Sequence, residues 1–319
     1  MRVLVAGIWS DWYAPRLAQV DDRLVVTAAE TWDEAAPELP RTEVLVTFGA
    51  GRPDLVIGKG HVAAMPALRW VQALLAGTDH IEQALADRPD VVLTNASGVH
   101  GPQVSELALF MMLALGRGGW RLGHDQAGRR WQAFDPPMLD GKTATIVGLG
   151  TIGMRLGPIC KTLGMEVIGV SRTPRDVLGF DRVVARTDLV AAASETDYLI
   201  LILPYDAQSH HLVGRDVLEA LPATAYVINV ARGNVIDEEA LVEALKAHRL
   251  AGAGLDVFHT EPLPAESPLW TLENVVITPH MGGRRDGYND YVIGLVADNL
   301  RLYAHGRKDE LVNVVERGS

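Results

Sequence analysis

The chain has 319 residues, of which 48% are hydrophobic and 22% charged, with a formal net charge of -11 and a sequence pI near 5.4. That length suggests two domains with substantial cores, and the acidic balance gives no reason to expect nucleic acid or an acidic membrane surface as a partner. A single cysteine, Cys160, excludes a disulfide framework and a thiolate metal cluster, and it fits a reducing cytoplasm.

The chain runs from Met1 directly into an apolar strand over 3–6, without the basic region and long apolar stretch of a signal peptide. Further strands are expected over 24–27, 44–47, 70–74 and 91–94, with helices or loops between them. The longest apolar run, 107–115, is too short to span a bilayer and reads as a buried helix. Pro102 can occupy its first turn, and Gly116 and Gly118 lie where it should stop. Because residues 106–115 are apolar on nearly every face, one side should pack its own domain while another meets the second domain or a partner subunit.

A second series of strands is expected over 143–147, 166–170, 198–203, 226–230, 254–257 and 275–278. Strands separated by helices imply parallel sheets covered on both faces, hence two doubly wound α/β domains with a boundary near residues 95–101. The segment 288–302 carries apolar residues at helical spacing and could return to the first domain. Arg129-Arg130 and Arg284-Arg285 read as solvated faces.

Strand 143–147 runs into Gly148-Leu149-Gly150-Thr151-Ile152-Gly153 and then a helical stretch with Ile152, Leu156, Ile159 and Leu163 on one face. Glycines there allow a tight turn, approach of the backbone to a pyrophosphate and close helix–strand contact, and the helix N-terminus favours the negative charge. Pro158 is discordant with that helix, because an interior proline removes a backbone bond. At the end of the next strand, an NAD site usually has Asp or Glu for the ribose 2′-hydroxyl. This chain has Ser171-Arg172-Thr173. Arg172 can pair with a 2′-phosphate, helped by the hydroxyls of Ser171 and Thr173, so NADP is the expected coenzyme, with NAD the alternative.

Three later strand ends carry Arg232, Glu261 and His280. A guanidinium fork can hold the carboxylate and carbonyl oxygen of a 2-oxo acid, and an imidazole exchanges protons near neutral pH. A neighbouring carboxylate would orient that imidazole and favour its charged form. Taken singly, each could be an ordinary surface or loop residue; the ordered set downstream of a nucleotide turn points to hydride-transfer chemistry.

These segments resemble the D-isomer-specific 2-hydroxyacid dehydrogenase family over essentially the whole chain, with a glyoxylate or hydroxypyruvate reductase flavour. The matching stretches are Leu139-Asp140-Gly141-Lys142, Ile228 to Gly233 with Val235-Ile236-Asp237, Gly254 to Phe258, Glu261-Pro262-Leu263-Pro264, Ser267-Pro268-Leu269-Trp270 and Ile277-Thr278-Pro279-His280. The resemblance implies a Rossmann dinucleotide-binding domain, residues 98–284, inserted in a flavodoxin-like substrate domain, residues 1–97 plus 285–319. It further implies that Arg232 binds substrate, His280 is the acid/base and Glu261 orients it. Asp256 would stand near the nicotinamide carboxamide, with Leu203, Pro204 and Val230 also on the coenzyme side. Leu75 to His80 resembles the substrate loop, whose N–H groups at Ala76 and Gly77 would grip the carboxylate. His80 itself reads as a packing residue, and a homodimer is expected.

Related readings carry less weight. Formate dehydrogenases have glutamine where this chain has Glu261, a phosphoglycerate dehydrogenase often carries a further regulatory domain, and the transcriptional corepressors keep the same three residues for dinucleotide sensing. Substrate identity would rest on Trp9, Trp12 and Tyr13 after the first strand, with packing the simpler account of Trp12 and Tyr13, and on Phe48 and Arg52 after the third. Met281-Gly282-Gly283 departs from the alanine-containing run usual after the histidine and would alter the pocket floor.

Overall fold

The twelve strands of the described residues lie in two parallel sheets, as expected where every crossover is a helix or loop packed on a sheet face. The structure is a computed structural model and describes residues 1–48 and 53–316, so Arg52 lies outside the described residues. The chain divides into two units, Met1–Val99 with Arg285–Ser319 and His100–Arg284.

In the first unit the strands are β1 (Arg2–Ala6), β2 (Val25–Ala29), β3 (Val44–Thr47), β4 (Trp70–Ala73) and β5 (Val92–Thr94), in the order β2-β1-β3-β4-β5. This is the flavodoxin order. Every residue of β3 and β4 is buried, because the sheet is covered on both faces. Helix Tyr288–Ala304 covers one face, bringing Val292, Val296 and Leu300 against Val3, Val5, Val44 and Trp70. A buried polar chain fixes it there: Asn299 Nδ2 donates to Gln72 Oε1 at 2.9 Å, and Thr94 Oγ1 donates to the same oxygen at 2.7 Å. Hydrogen bonding of this kind is what permits amide groups in an apolar core.

The second unit contains β6 (Thr143–Val147), β7 (Glu166–Ser171), β8 (Arg182–Ala185), β9 (Tyr198–Leu201), β10 (Tyr226–Asn229), β11 (Gly252–Leu255) and β12 (Val275–Ile277). Their order, β12-β11-β10-β9-β6-β7-β8, reverses direction between β6 and β9, which creates the crevice where open α/β sheets bind ligands. Helix Gly101–Gly116 has proline in its first turn and buries Val104, Ala108, Met111, Met112 and Leu115. It lies so close to β11 that a Cβ at Gly254 would sit 2.9 Å from Met111 Cβ.

The structure departs from the sequence expectations at four points. The strand β8 escapes a periodicity reading because it is a four-residue edge strand, no residue of which is fully buried. The strand expected over 254–257 is β11, two residues earlier, because Gly252 and Ala253 already pair with Tyr226 and Val227 of β10. The strand expected over 198–203 ends at Leu201 because Ile202 and Leu203 cross over Gly148. Pro158 does not end its helix, which runs Thr151–Thr162. Among the described residues no helix is long and apolar enough to cross a membrane.

Candidate active site

Because the second sheet is wholly parallel, the residues after β6, β7, β9, β10, β11 and β12 all emerge at its carboxyl edge. The turn after β6 divides its labour among three glycines. Gly148 has φ +109°, and a Cβ there would lie 2.4 Å from the Ile202 carbonyl oxygen, so only glycine lets the segment after β9 pass. A Cβ at Gly153 would lie 2.1 Å from the Gly148 carbonyl oxygen, which locks helix Thr151–Thr162 against the strand end. At Gly150 a Cβ would meet nothing within 4 Å. That open space faces an exposed helix start without a side-chain cap, and it suits the pyrophosphate of a dinucleotide. Thr151 is exposed and Ile152 half-buried beside it, and Leu203 is buried while Pro204 is exposed at the end of the crossing segment.

At the next strand end Arg172 is exposed and ion-paired with Asp206, in the turn that follows Pro204. Ser171 Oγ donates to the Thr173 carbonyl oxygen at 2.6 Å, so its proton, expected to serve a 2′-phosphate, is used within the turn.

Arg232 follows β10. Asn229 shapes its loop, with Oδ1 accepting from Ala231 N at 3.0 Å and Nδ2 donating to the Arg232 carbonyl oxygen at 2.9 Å. Gly233 then passes directly beneath the chain after β11, where a Cβ would fall 2.0 Å from the Phe258 carbonyl. This contact brings the Arg232 and Glu261 loops together. Glu261 Oε1 accepts from Phe258 N at 3.0 Å and Oε2 meets His280 Nδ1 at 2.5 Å. Burial alone would raise the Glu261 pKa, but the bonds from His280 and Phe258, with the charges of His280 and Arg232, outweigh it and hold the carboxyl below its ordinary value.

His280 itself has φ +48°, a backbone conformation that few side chains adopt. Asp256 imposes it. The Asp256 carbonyl accepts from His280 N at 2.8 Å, Oδ1 accepts from Thr278 Oγ1 at 2.5 Å and Met281 N at 2.8 Å, and Oδ2 accepts from Gly282 N at 2.8 Å. Asp256 is 2% exposed, and its carboxylate is engaged by the histidine turn. The departure at Met281-Gly282-Gly283 follows from the same packing, since a Cβ at Gly282 would lie 2.9 Å from Asp256 Oδ2 and one at Gly283 2.9 Å from His100 Cδ2. The sequence reading passed over Asn229, Asp206 and the Thr278 hydroxyl; a polar residue directly after an apolar strand was the available signal for the first.

In the first unit, Ala76 and Gly77 are half-buried in the loop after β4, held by Asn95 Nδ2 donating to the Ala76 carbonyl oxygen at 2.9 Å. His80 is exposed in helix Asp79–Ala84, so the packing role expected of it is not what the structure gives. Tyr13 is fully buried and packs edge-on against Trp12 and Phe48, whereas Trp9 is 54% exposed.

This strand order, glycine turn and guanidinium–carboxylate–imidazole edge define a nicotinamide-dependent dehydrogenase of the doubly wound class. Residues 109–282 match the family described as D-isomer specific 2-hydroxyacid dehydrogenase, NAD binding domain. The glyoxylate reductase of Pyrococcus horikoshii is 32% identical over 302 residues, covering 87% of this chain and 86% of the relative. A crystal structure of a D-isomer specific 2-hydroxyacid dehydrogenase family protein from Aeromonas salmonicida superposes with a TM-score of 0.89 at 31% identity, over 99% of each chain. The D-isomer specific 2-hydroxyacid dehydrogenase from Xanthobacter autotrophicus, solved with NADPH and MES, gives 0.83 at 27% identity, over 99% of this chain and 98% of that one. The chain belongs to the D-isomer-specific 2-hydroxyacid dehydrogenase family: it is an NAD(P)-dependent oxidoreductase acting on the CH–OH group of small 2-hydroxy acids.

Two outcomes follow from this geometry. Gly153→Ala should lose about 1–3 kcal/mol of stability through overpacking, whereas Gly150→Ala should keep the wild-type Tm without coenzyme and weaken coenzyme binding measured by calorimetry; equal Tm losses would contradict the division of roles. Because the folded-state pKa of Glu261 is lowered, its ionisation adds stability above the unfolded glutamate value, about 4.3, which is lost as pH falls through the folded value. Thermal melts of wild type and Glu261→Gln should therefore differ at neutral pH and converge on acidification, with a gap held to about 1 kcal/mol or less by solvent screening.

Proposed function

We propose that His280 is the acid/base of the reaction, that Arg232 binds the substrate's carboxylate and carbonyl oxygen, and that Glu261 orients His280. The observation that carries this is the 2.5 Å contact of His280 Nδ1 with Glu261 Oε2, close enough to Arg232 for its charge to act on the same carboxylate. An ionised carboxylate only accepts, so Nδ1 carries a proton and Nε2 is left as the atom that gives or takes one. Bound at the glycine turn, reduced nicotinamide supplies the hydride that C2 of the 2-oxo acid receives. Arg232 offsets the negative charge growing on the C2 oxygen, and His280 delivers the proton that completes the D-2-hydroxy acid. In oxidation His280 takes that proton back.

Gly148, Gly150, Thr151, Ile152 and Gly153 are assigned to the pyrophosphate, Ser171, Arg172 and Thr173 to the adenosine end, and Leu203, Pro204 and Val230 to the nicotinamide side. Asp256 acts on the reaction through the turn it holds. Substrate binding is assigned to Arg232 and His280 with the N–H groups of Ala76 and Gly77. NADPH is the preferred coenzyme: a guanidinium stands where an NAD site has a carboxylate, and the Xanthobacter relative was solved with NADPH. The name of the Pyrococcus relative supports glyoxylate, or the similarly small hydroxypyruvate, as the oxo acid. Phe110, 53% exposed, and Leu113, 40% exposed, leave an apolar face on helix Gly101–Gly116, which supports a homodimer.

His280→Ala should lower kcat by about 10²–10⁴-fold with coenzyme affinity unchanged, and Arg232→Ala should raise KM as well as lower kcat. Values of kcat/KM for glyoxylate, hydroxypyruvate, pyruvate and bulkier 2-oxo acids with NADPH and NADH test the rest. Near-normal turnover by His280→Ala would refute the acid/base assignment, and a clear NADH or bulky-acid preference would refute the corresponding specificity. Light scattering should give a mass near twice 34.5 kDa, falling to the monomer value in Phe110→Glu; a stable wild-type monomer refutes the dimer.

A further inference from the structure

The adenosine end of the second sheet holds a charge arrangement that the family pattern does not require. Arg172, after β7, is ion-paired with Asp206, which lies in the turn after β9. Asp206 Oδ1 also accepts the N–H groups of Gln208 at 2.9 Å and Ser209 at 2.8 Å, so the carboxylate is fixed by its own turn and cannot swing away without unmaking it. A second guanidinium, Arg186, follows the edge strand β8. Its side chain is 17% exposed, its Nη1 stands 4.0 Å from Asp206 Oδ1, and that buried nitrogen has no hydrogen-bond partner. Two cations thus share one carboxylate at the strand ends where a doubly wound sheet receives the 2′ position of the adenosine ribose. Burial would raise the Asp206 pKa, but bonds from Ser209 and the charge of Arg172 prevail and keep it lowered, so the group is ionised at neutral pH.

We infer that Asp206 is a specificity-determining residue, an internal counter-ion that competes with the coenzyme's 2′-phosphate for Arg172 and Arg186 and thereby limits the preference for NADP over NAD. The inference rests on the reading of Arg172 as the 2′-phosphate ligand. A phosphate dianion entering this cluster gains two guanidinium partners but meets a fixed carboxylate, whereas NAD presents only an uncharged 2′-hydroxyl that the carboxylate does not repel. Arg186 is the cation held ready: its unpaired nitrogen gains a partner only when an anion arrives. Asp206 therefore holds Arg172 in the free protein, keeps Arg186 within reach of its charge, and reduces the discrimination the two would otherwise give.

Asp206→Asn separates the charge from the fold, since an asparagine oxygen still accepts the Gln208 and Ser209 N–H groups. By calorimetry at low salt, its Kd for NADP+ should fall roughly three- to thirty-fold, the range expected for removing one like charge at a partly solvated distance, with the Kd for NAD+ changed far less. The gain should shrink at high ionic strength. Arg186→Gln should weaken NADP+ and spare NAD+. If Arg172→Ala selectively weakens NADP+ while Asp206→Asn leaves NADP+ affinity unchanged, the counter-ion role is wrong and the Arg172 reading stands. If Arg172→Ala leaves the NADP+ to NAD+ ratio unchanged, the Arg172 reading fails and this inference fails with it.

Discussion

The reacting edge of the second unit depends on one buried carboxylate. Asp256 is almost wholly removed from water, where an unpaired charge would be prohibitively costly, and it is tolerable only because Thr278, Met281 and Gly282 all donate to it. Those donors come from both sides of His280. Satisfying the carboxylate therefore fixes the turn that carries the imidazole, including the left-handed backbone at His280 itself. Hydrogen bonds to Asp256 from both sides of His280 offset the strain of that conformation, which is how unusual backbone geometry persists.

Around this anchor, the site is assembled by absences as much as by contacts. Gly233 lets the β10 loop pass against the Phe258 carbonyl, Gly148 lets the segment after β9 cross the end of β6, and Gly282 lets a main-chain N–H reach Asp256. Each is a place where a Cβ would separate two loops that chemistry needs together. The result is that Glu261, whose two oxygens are divided between Phe258 N and His280 Nδ1, is at once part of its own loop and the orienting partner of a residue nineteen positions on. Short polar contacts of this kind hold charged groups in place before any ligand arrives, as pre-organisation requires.

Much of this was legible in the sequence because it is local. The glycine turn is six consecutive residues whose conformational demands are intrinsic to glycine, and Arg232, Glu261 and His280 each follow an apolar run short enough to be a buried parallel strand. What was not legible depends on partners distant in the chain. The Arg172–Asp206 pair spans 34 positions and forms because two loops converge on one sheet edge, and nothing in either segment announces the other. β8 hides because it is an edge strand with no fully buried face, which gives no periodicity to read. Asp256 was visible as a residue but not as an anchor, since its donors lie more than twenty positions downstream. Ser171 could be read as a donor, yet the nearest acceptor, the Thr173 carbonyl, is two residues away and takes the proton first.

The two ends of the coenzyme edge solve opposite electrostatic problems with the same residue type. Asp256 is buried and bonded to uncharged donors on both sides of His280, so its contacts set the geometry of that turn. Asp206 stands at the surface between two guanidinium groups, so its charge is spent on competition. A carboxylate's influence on binding is set by who already holds its oxygens, and burial with neutral donors turns it into scaffold while partial exposure beside cations leaves it a participant. In a chain of net charge -11 that must attract anionic coenzyme and anionic substrate alike, overall charge works against both ligands. Cations at the carboxyl edge, Arg172 and Arg186 beside Asp206 and Arg232 near Glu261, supply local positive charge against that field.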